Sequence, residues 1–319
     1  MKILVTGANG FIGQSLCAYL KEKGHVVQAA VRRHARIFSV VDEYIQIGDI
    51  NESTDWQKAL INVDIVIHLA ARVHVMIDSA GDDLEAFRKV NVFGTERLAR
   101  MAARSGVKRF IFISSVKVNG EGSGMPYTEK DPPAPEDAYG ISKQQAEDLL
   151  ACVAAETGLQ TVVLRIPLVY GQGVKANFKN LMKIVASGLP LPLKGLDNHR
   201  SFVYLGNLMD AINVCMVHPL AAGETFIVSD GQDISIADLI KMIARAMNKK
   251  LILFSLHPAV LMWLCAMAGK KEEIKKMTGS LLVDCSKINN LLGWKPRFLM
   301  EEGIAETVAR YLKNDKADI

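Results

Sequence analysis

The stretch VTGANGFIG, residues 5–13, constrains the fold more than any other part of the chain. Gly7, Gly10 and Gly13 directly follow a β-branched run, KILVT (2–6), and open a helical pattern over 12–22. Glycines at such a junction permit a tight turn and let backbone N–H groups approach a pyrophosphate at the helix N-terminus. Asn9, Phe11 and Ile12 lie between them as further candidate contacts. An ATPase-type phosphate loop is excluded: Gly13-Gln14-Ser15 lacks the lysine, and Ala8 takes the place of the earlier glycine.

The first half alternates short apolar runs with helical patterns. Strands are expected at 2–6, 26–31, 44–47, 64–69, 110–114 and 161–166, with helices over 12–22, 84–104 and 139–157. Several runs are apolar almost throughout, as strands covered on both faces must be. The alternation predicts an α/β fold, a doubly wound parallel sheet of the Rossmann type with right-handed crossovers. The loop 119–137 is rich in Gly, Pro and acids and is expected to overhang a site. Beyond residue 166 the pattern loosens into a smaller C-terminal substrate-binding α/β lobe. Boundaries are set at 1–166 plus about 202–218 for the nucleotide domain, and at 167–201 plus 219–319 for the lobe.

Composition removes other classes. The formal charge is +4, from 38 basic and 34 acidic residues, and no basic run carries interleaved aromatics, so nucleic acid is not an expected partner. The five cysteines are scattered without a C-x-x-C and suit reduced thiols in the cytoplasm. The seven histidines form no H-E-x-x-H, and no metal is assigned. The N-terminus reaches glycine too soon for a signal-peptide core. The apolar run 256–269 is shorter than the roughly 20 residues of a membrane span; it reads as a buried helix or a partner-facing one.

Which dinucleotide binds is a question for the second strand, which for NAD ends in an acid that holds the ribose 2′-OH. Here it ends in Val31, followed by Arg32 and Arg33. Two guanidiniums suit a 2′-phosphate, so NADP(H) is favoured and NAD(H) possible, unless the arginines are simply solvated. Asp49 and Ile50 are placed to meet the adenine, and Leu69, Ala70 and Ala71 give a small-residue turn under the nicotinamide side.

Tyr139 and Lys143, in YGISK, are one helical turn apart and share a face. Reducing a ketone leaves an alkoxide that needs a proton. A tyrosine can supply it, but its reference pKa of about 10 is too high for efficient exchange at neutral pH. Lowering it by about three units takes about 4 kcal/mol, which one ammonium at about 4 Å supplies at an effective dielectric of about 20. Ser114 and Ser115 end the fifth strand, where a hydroxyl could reach the same oxygen. A non-catalytic nucleotide sensor on this fold would not need the tyrosine–lysine pair.

With TGANGFIG, HLAA, NVFGT, SSVKVNG, YGISK, RIPLVYGQG, RSFVYLGNLMDAI and DCSKINNLLGW in hand, the chain resembles the extended short-chain dehydrogenase/reductases, specifically their nucleotide-sugar 4-epimerases and 4-ketoreductases, from residue 1 to about 310. The resemblance implies that Tyr139 is the acid/base, Lys143 its partner and Ser115 the anchor of the substrate hydroxyl. It implies that Asn177 and Arg200 contact the diphosphate of a UDP-linked sugar, with LPLPL (189–193), including Leu191, near the base. Asn91 and Pro167 would be structural or cofactor-lining, and helices 84–104 and 139–157 would build a homodimer. Val116-Lys117 replace the Asp-Glu pair of the 4,6-dehydratases, which argues against dehydration. Lys117 is either substrate-facing or a solvated strand-end lysine. The subgroup most similar is the 4-ketoreductases that form UDP-N-acetyl-quinovosamine for cell-surface polysaccharides; the alternative is an NAD-dependent UDP-sugar 4-epimerase.

Overall fold

The computed structural model describes residues 1–33, 41–73, 83–122, 124–194, 198–255 and 279–315. The apolar run 256–269 and Cys265 lie outside them. The strands are β1 (Lys2–Thr6), β2 (Val26–Val31), β3 (Glu43–Gln46), β4 (Ile65–His68), β5 (Arg109–Ser115), β6 (Gln160–Ile166), β7 (Leu168–Tyr170), β8 (Arg200–Tyr204), β9 (Thr225–Ile227) and β10 (Asp233–Ile234). The helices are α1 (Phe11–Glu22), α2 (Asp83–Phe87), α3 (Gly94–Arg104), α4 (Ala138–Thr157), α5 (Ala176–Ser187), α6 (Leu205–Val217), α7 (Ile236–Ala246), α8 (Ser286–Leu292) and α9 (Met300–Asp315).

Seven strands form one parallel sheet in the order β3-β2-β1-β4-β5-β6-β9. The order reverses between β1 and β4, and the crevice beyond the carboxyl ends of these strands is where such sheets bind ligands. Side-chain period explains the two covered faces. On β5, Ile111 and Ile113 join Ile3, Val5, Ile65 and Ile67 against α1 and α6. Phe110 and Phe112 join Leu4 and Val66 against α3 and α4. Both faces are therefore apolar, and the strands read as unbroken runs. Each side chain so buried contributes about 1.5–3 kcal/mol.

Three departures from the sequence expectations matter. The helix expected over 84–104 is interrupted by a π-type segment, Arg88–Phe93, between α2 and α3. The wider i→i+5 turn holds Asn91, which is buried. Second, β9 is the seventh strand of the large sheet, paired with β6, and Ile288 and Leu292 of α8 enter that sheet's core. Parts of 219–319 thus pack with the large sheet; a three-residue strand is too short to announce itself by period. Third, β8 lies in a small sheet, β10-β8-β7, while α6, which follows it, packs on the large one. A third cluster, built on Tyr170, Phe178, Phe202, Ile240 and Ile304, forms the core of the smaller lobe.

The β1–α1 turn is tight enough to require glycine. A Cβ on Gly13 would stand 2.2 Å from the Gly7 carbonyl oxygen and 2.7 Å from Ala8 Cα, and neither backbone atom can yield without moving the helix. Gly13→Ala is expected to lower unfolding stability by about 1–3 kcal/mol and weaken dinucleotide binding, as urea titration and calorimetry would measure.

Candidate active site

A cavity of about 1010 Å³ opens at the carboxyl edge of the large sheet, at the upper limit of the roughly 300–1,000 Å³ usual for ligand sites. The whole β1–α1 turn from Gly7 to Gly13, save Ala8, lines it. Arg32, Asp49, Ile50, Leu69, Ala70, Ala71, Pro167, Ser114, Ser115, Tyr139 and Lys143 line it too. Arg33, Asn91, Lys117, Leu191 and Arg200 are not in its wall. Asn177 lies in the first turn of α5; its side chain is outside the described residues.

The turn suits a dinucleotide. Gly10 caps α1 without a side chain, and the first turn of α1 contains no acid, so the helix N-terminus offers its amides to an anion. At the far end, Arg32 Nη1 is 3.6 Å from Asp49 Oδ1, both largely exposed. Arg33, expected beside it, is exposed outside the cavity wall.

Asp137 builds the tyrosine end of the cavity by capping α4: its Oδ1 accepts from Gly140 N at 2.7 Å. This cap lies two residues before Tyr139, and the helix starts at Ala138. One turn on, Lys143 is 2% exposed, its Nζ donating to the Ile113 carbonyl at 2.7 Å and lying 4.2 Å from the Phe112 ring centroid. Ser115 Oγ accepts from Lys117 N at 3.3 Å, which leaves its own proton to donate into the cavity.

The electrostatics differ from the sequence expectation. Burial, with a smaller contribution from Asp137, raises the Tyr139 phenol above its ordinary value. Burial also lowers the Lys143 ammonium to about 7, against an opposing pull from Glu147. The expected downward shift of Tyr139 assumed a charged amine about 4 Å away. Here the amine turns to the strand carbonyl, 6.0 Å from the tyrosine ring centroid, and desolvation outweighs its field.

Two buried groups went unassigned from sequence. Glu147, a further turn along α4, accepts from Ser114 Oγ and pairs with Arg165 Nη2 at 2.7 Å; Arg165 in turn donates to Asn119 Oδ1 at 3.2 Å. The signal was the repeat of four, Tyr139-Lys143-Glu147. Ser114, one of the two strand-end hydroxyls, thus spends its hydroxyl proton on Glu147. His68, buried, has Nδ1 2.7 Å from Thr6 Oγ1 and Nε2 3.0 Å from Thr95 Oγ1. Thr95 donates its proton to Asn91 O at 2.7 Å, so it accepts from Nε2–H, and Thr6 donates to Nδ1. Thr6 Oγ1 also accepts from Ala70 N. Burial, then the Lys143 charge, lowers His68 to about 3, so the ring is neutral. Asn91 completes the chain by accepting from Arg72 N and donating to Arg72 O, which makes it structural. Together they fix the turn 69–72. Its sequence signal was a lone histidine ending an apolar strand.

Three of the expected substrate residues, Lys117, Leu191 and Arg200, make contacts outside the cavity wall. Lys117 Nζ pairs with Glu121 at 2.8 Å and with Asp137, a half-buried ion-paired lysine outside the cavity wall. Arg200 Nη1 donates to Gly279 O at 3.1 Å, and Leu191 bridges to Leu253. Among the described residues, no group of three or more His, Cys, Asp or Glu is arranged to hold a metal, and no helix is long and apolar enough to cross a membrane.

The NAD dependent epimerase/dehydratase family matches residues 3–229. A UDP-glucose 4-epimerase of Vibrio cholerae is 42% identical over 98% of this chain and 95% of its own length. Among solved structures, UDP-glucuronic acid 4-epimerase from Bacillus cereus in complex with NAD aligns with a TM-score of 0.79 at 26% identity, over 98% of this chain and 99% of that one. UDP-glucose 4-epimerase from Thermotoga maritima with UDP-glucose aligns with a TM-score of 0.79 at 25% identity, over 98% and 99%.

A lysine whose ammonium is disfavoured by burial carries a thermodynamic signature. Its folded-state pKa lies below the ordinary 10.5, so the unfolded chain binds the extra proton, and its stability contribution is lost as pH falls from about 10.5 to about 7. Lys143→Met removes that dependence. The stability of the variant relative to the wild type should grow as pH falls through this window and level off below about 7, as urea unfolding at stepped pH would report.

Proposed function

The chain belongs to the NAD dependent epimerase/dehydratase family, and from that premise we propose that it is a UDP-sugar 4-epimerase acting at C4 of a hexose. The observation that carries this reading is the full-length match to UDP-glucose 4-epimerase, on a chain whose Ser115, Tyr139 and Lys143 converge on one cavity. Bound at the β1–α1 turn, a nicotinamide dinucleotide supplies hydride acceptance and return. The protein does the rest. Ser115 donates its hydroxyl to the C4 oxygen and orients it, while Tyr139 takes the proton of the C4 hydroxyl at its phenolic oxygen and gives it back to that oxygen when hydride returns to C4. Lys143 ties α4 to β5 and sets the charge beneath the tyrosine. The 69–72 turn, held by neutral His68, walls the nicotinamide side. Arg200 and Asn177 are assigned to the diphosphate of the sugar nucleotide.

A second reading, reduction of a UDP-4-keto-6-deoxy sugar, is favoured by two observations. Burial keeps Tyr139 protonated, the form that gives a proton to a ketone. Val31 also stands where an acid would hold the ribose hydroxyls. The Arg32–Asp49 pair is ambivalent: the guanidinium suits a 2′-phosphate, the carboxylate ribose hydroxyls.

Proton NMR separates the two. An epimerase converts UDP-glucose to UDP-galactose, or the N-acetyl pair, without net cofactor consumption, and Tyr139→Phe lowers that rate at least about 10²-fold. Stoichiometric NADH or NADPH oxidation with the 4-keto-6-deoxy sugar, and no interconversion of UDP-hexoses, would replace the first reading with the second. Turnover of neither substrate would refute both.

A further inference from the structure

Lys117 has no place in the chemistry described so far, yet it touches both halves of the catalytic end. Its backbone N–H donates to Ser115 Oγ at 3.3 Å. Its carbonyl oxygen lies under Gly140, where a Cβ would come within 2.8 Å of it, so the α4 N-terminus rests on the Lys117 backbone. Its ammonium meets Asp137 Oδ2, while the other oxygen of that carboxylate caps Gly140 N. Glu121, from the overhanging loop, takes a second position on the same ammonium at 2.8 Å.

We propose that Lys117 is a positioning residue: through Asp137 it holds the start of α4, and with it Tyr139, in register with Ser115. The role rests on Tyr139 and Ser115 acting as proposed above. It has an electrostatic side as well. After burial, the Asp137 carboxylate is the group that opposes ionisation of Tyr139, and Lys117 neutralises it. The charges around the phenol are few. Asp137 caps α4 and Lys143 lies within it, Lys117 comes from the turn after β5, and Lys89, Arg72 and Lys175 from the other cavity walls. Glu147 and His68 act through Lys143. Glu121, which shares Lys117, also faces Arg200.

The test replaces Lys117 by Met and by Arg, with Asp137→Asn alone and combined with Lys117→Met. Asparagine still caps the helix but carries no charge. The seven tyrosines are labelled as difluorotyrosine, which ionises at lower pH. The Tyr139 fluorine signal is identified by its loss in Tyr139→Phe. In Lys117→Met the Tyr139 titration should move up by about one pH unit; in Lys117→Arg it should stay, and the added Asp137→Asn should reverse it. Asp137→Asn alone should move it down, which decides the matter if Lys117→Met does not fold. With the substrate the wild type turns over, kcat should fall about tenfold or more in Lys117→Met, with KM within about twofold. An unmoved titration in Lys117→Met, or a shift that Asp137→Asn does not reverse, would overturn the proposal. The fluorine titration needs no substrate, so a failure of the functional reading is told apart from a failure of this one.

Discussion

A lysine ammonium almost sealed from water, held by one strand carbonyl, is the constraint on which the catalytic end depends. Lys143 reaches from α4 to Ile113 of β5, and that contact fixes where the helix carrying Tyr139 meets the sheet edge carrying Ser115. Burying a cation is costly unless it is paired or neutralised. Here the structure uses both routes in part. Glu147 sits near enough to favour the charge, and burial still carries the amine down to about 7. The neighbouring His68 is held neutral in the same field. Each of these groups is then a donor or acceptor in a fixed direction, and the polar chain from Ala70 through Thr6, His68 and Thr95 to Asn91 depends on it.

The result is a resting site in which the phenol keeps its proton. That differs from the simple picture of an ammonium lowering a neighbouring tyrosine. Coulomb attraction between groups in van der Waals reach is sufficient in size, but it falls with separation and competes with desolvation that acts on both partners. Where both groups are buried, desolvation drives them apart, the tyrosine upward and the lysine downward. The two shifts have separate causes, burial and then Asp137 at Tyr139, and burial opposed by Glu147 at Lys143.

Much of this was legible in the sequence because the relevant signals are local. The β1–α1 glycines, the six strands from 2–6 to 160–166, and the Tyr139–Lys143 turn all depend on spacing within one element, and their bounds agree with the expectation to within about two residues, as helix and strand ends generally do. The groups that sequence reading passed over act across elements. Arg165 meets Glu147 only because β6 lies beside α4. Lys117 meets Asp137 across twenty residues of loop, and no periodicity marks either. The strand β9 is only three residues long and is recruited to the sheet by its parallel partner β6. The π-type segment is silent for another reason: one extra residue per turn leaves the apolar pattern over 84–104 readable as an ordinary helix.

The state of the buried amine is open to direct measurement. Lysine labelled with ¹³C at Cε reports its ionisation by NMR, and the Lys143 signal is the one missing from Lys143→Met. A single resonance titrating near 7 is expected, well apart from the other lysines. A Lys143 signal that titrates with the rest, near 10.5, would mean that the amine is solvated and charged, and the arrangement described for the catalytic end would not hold.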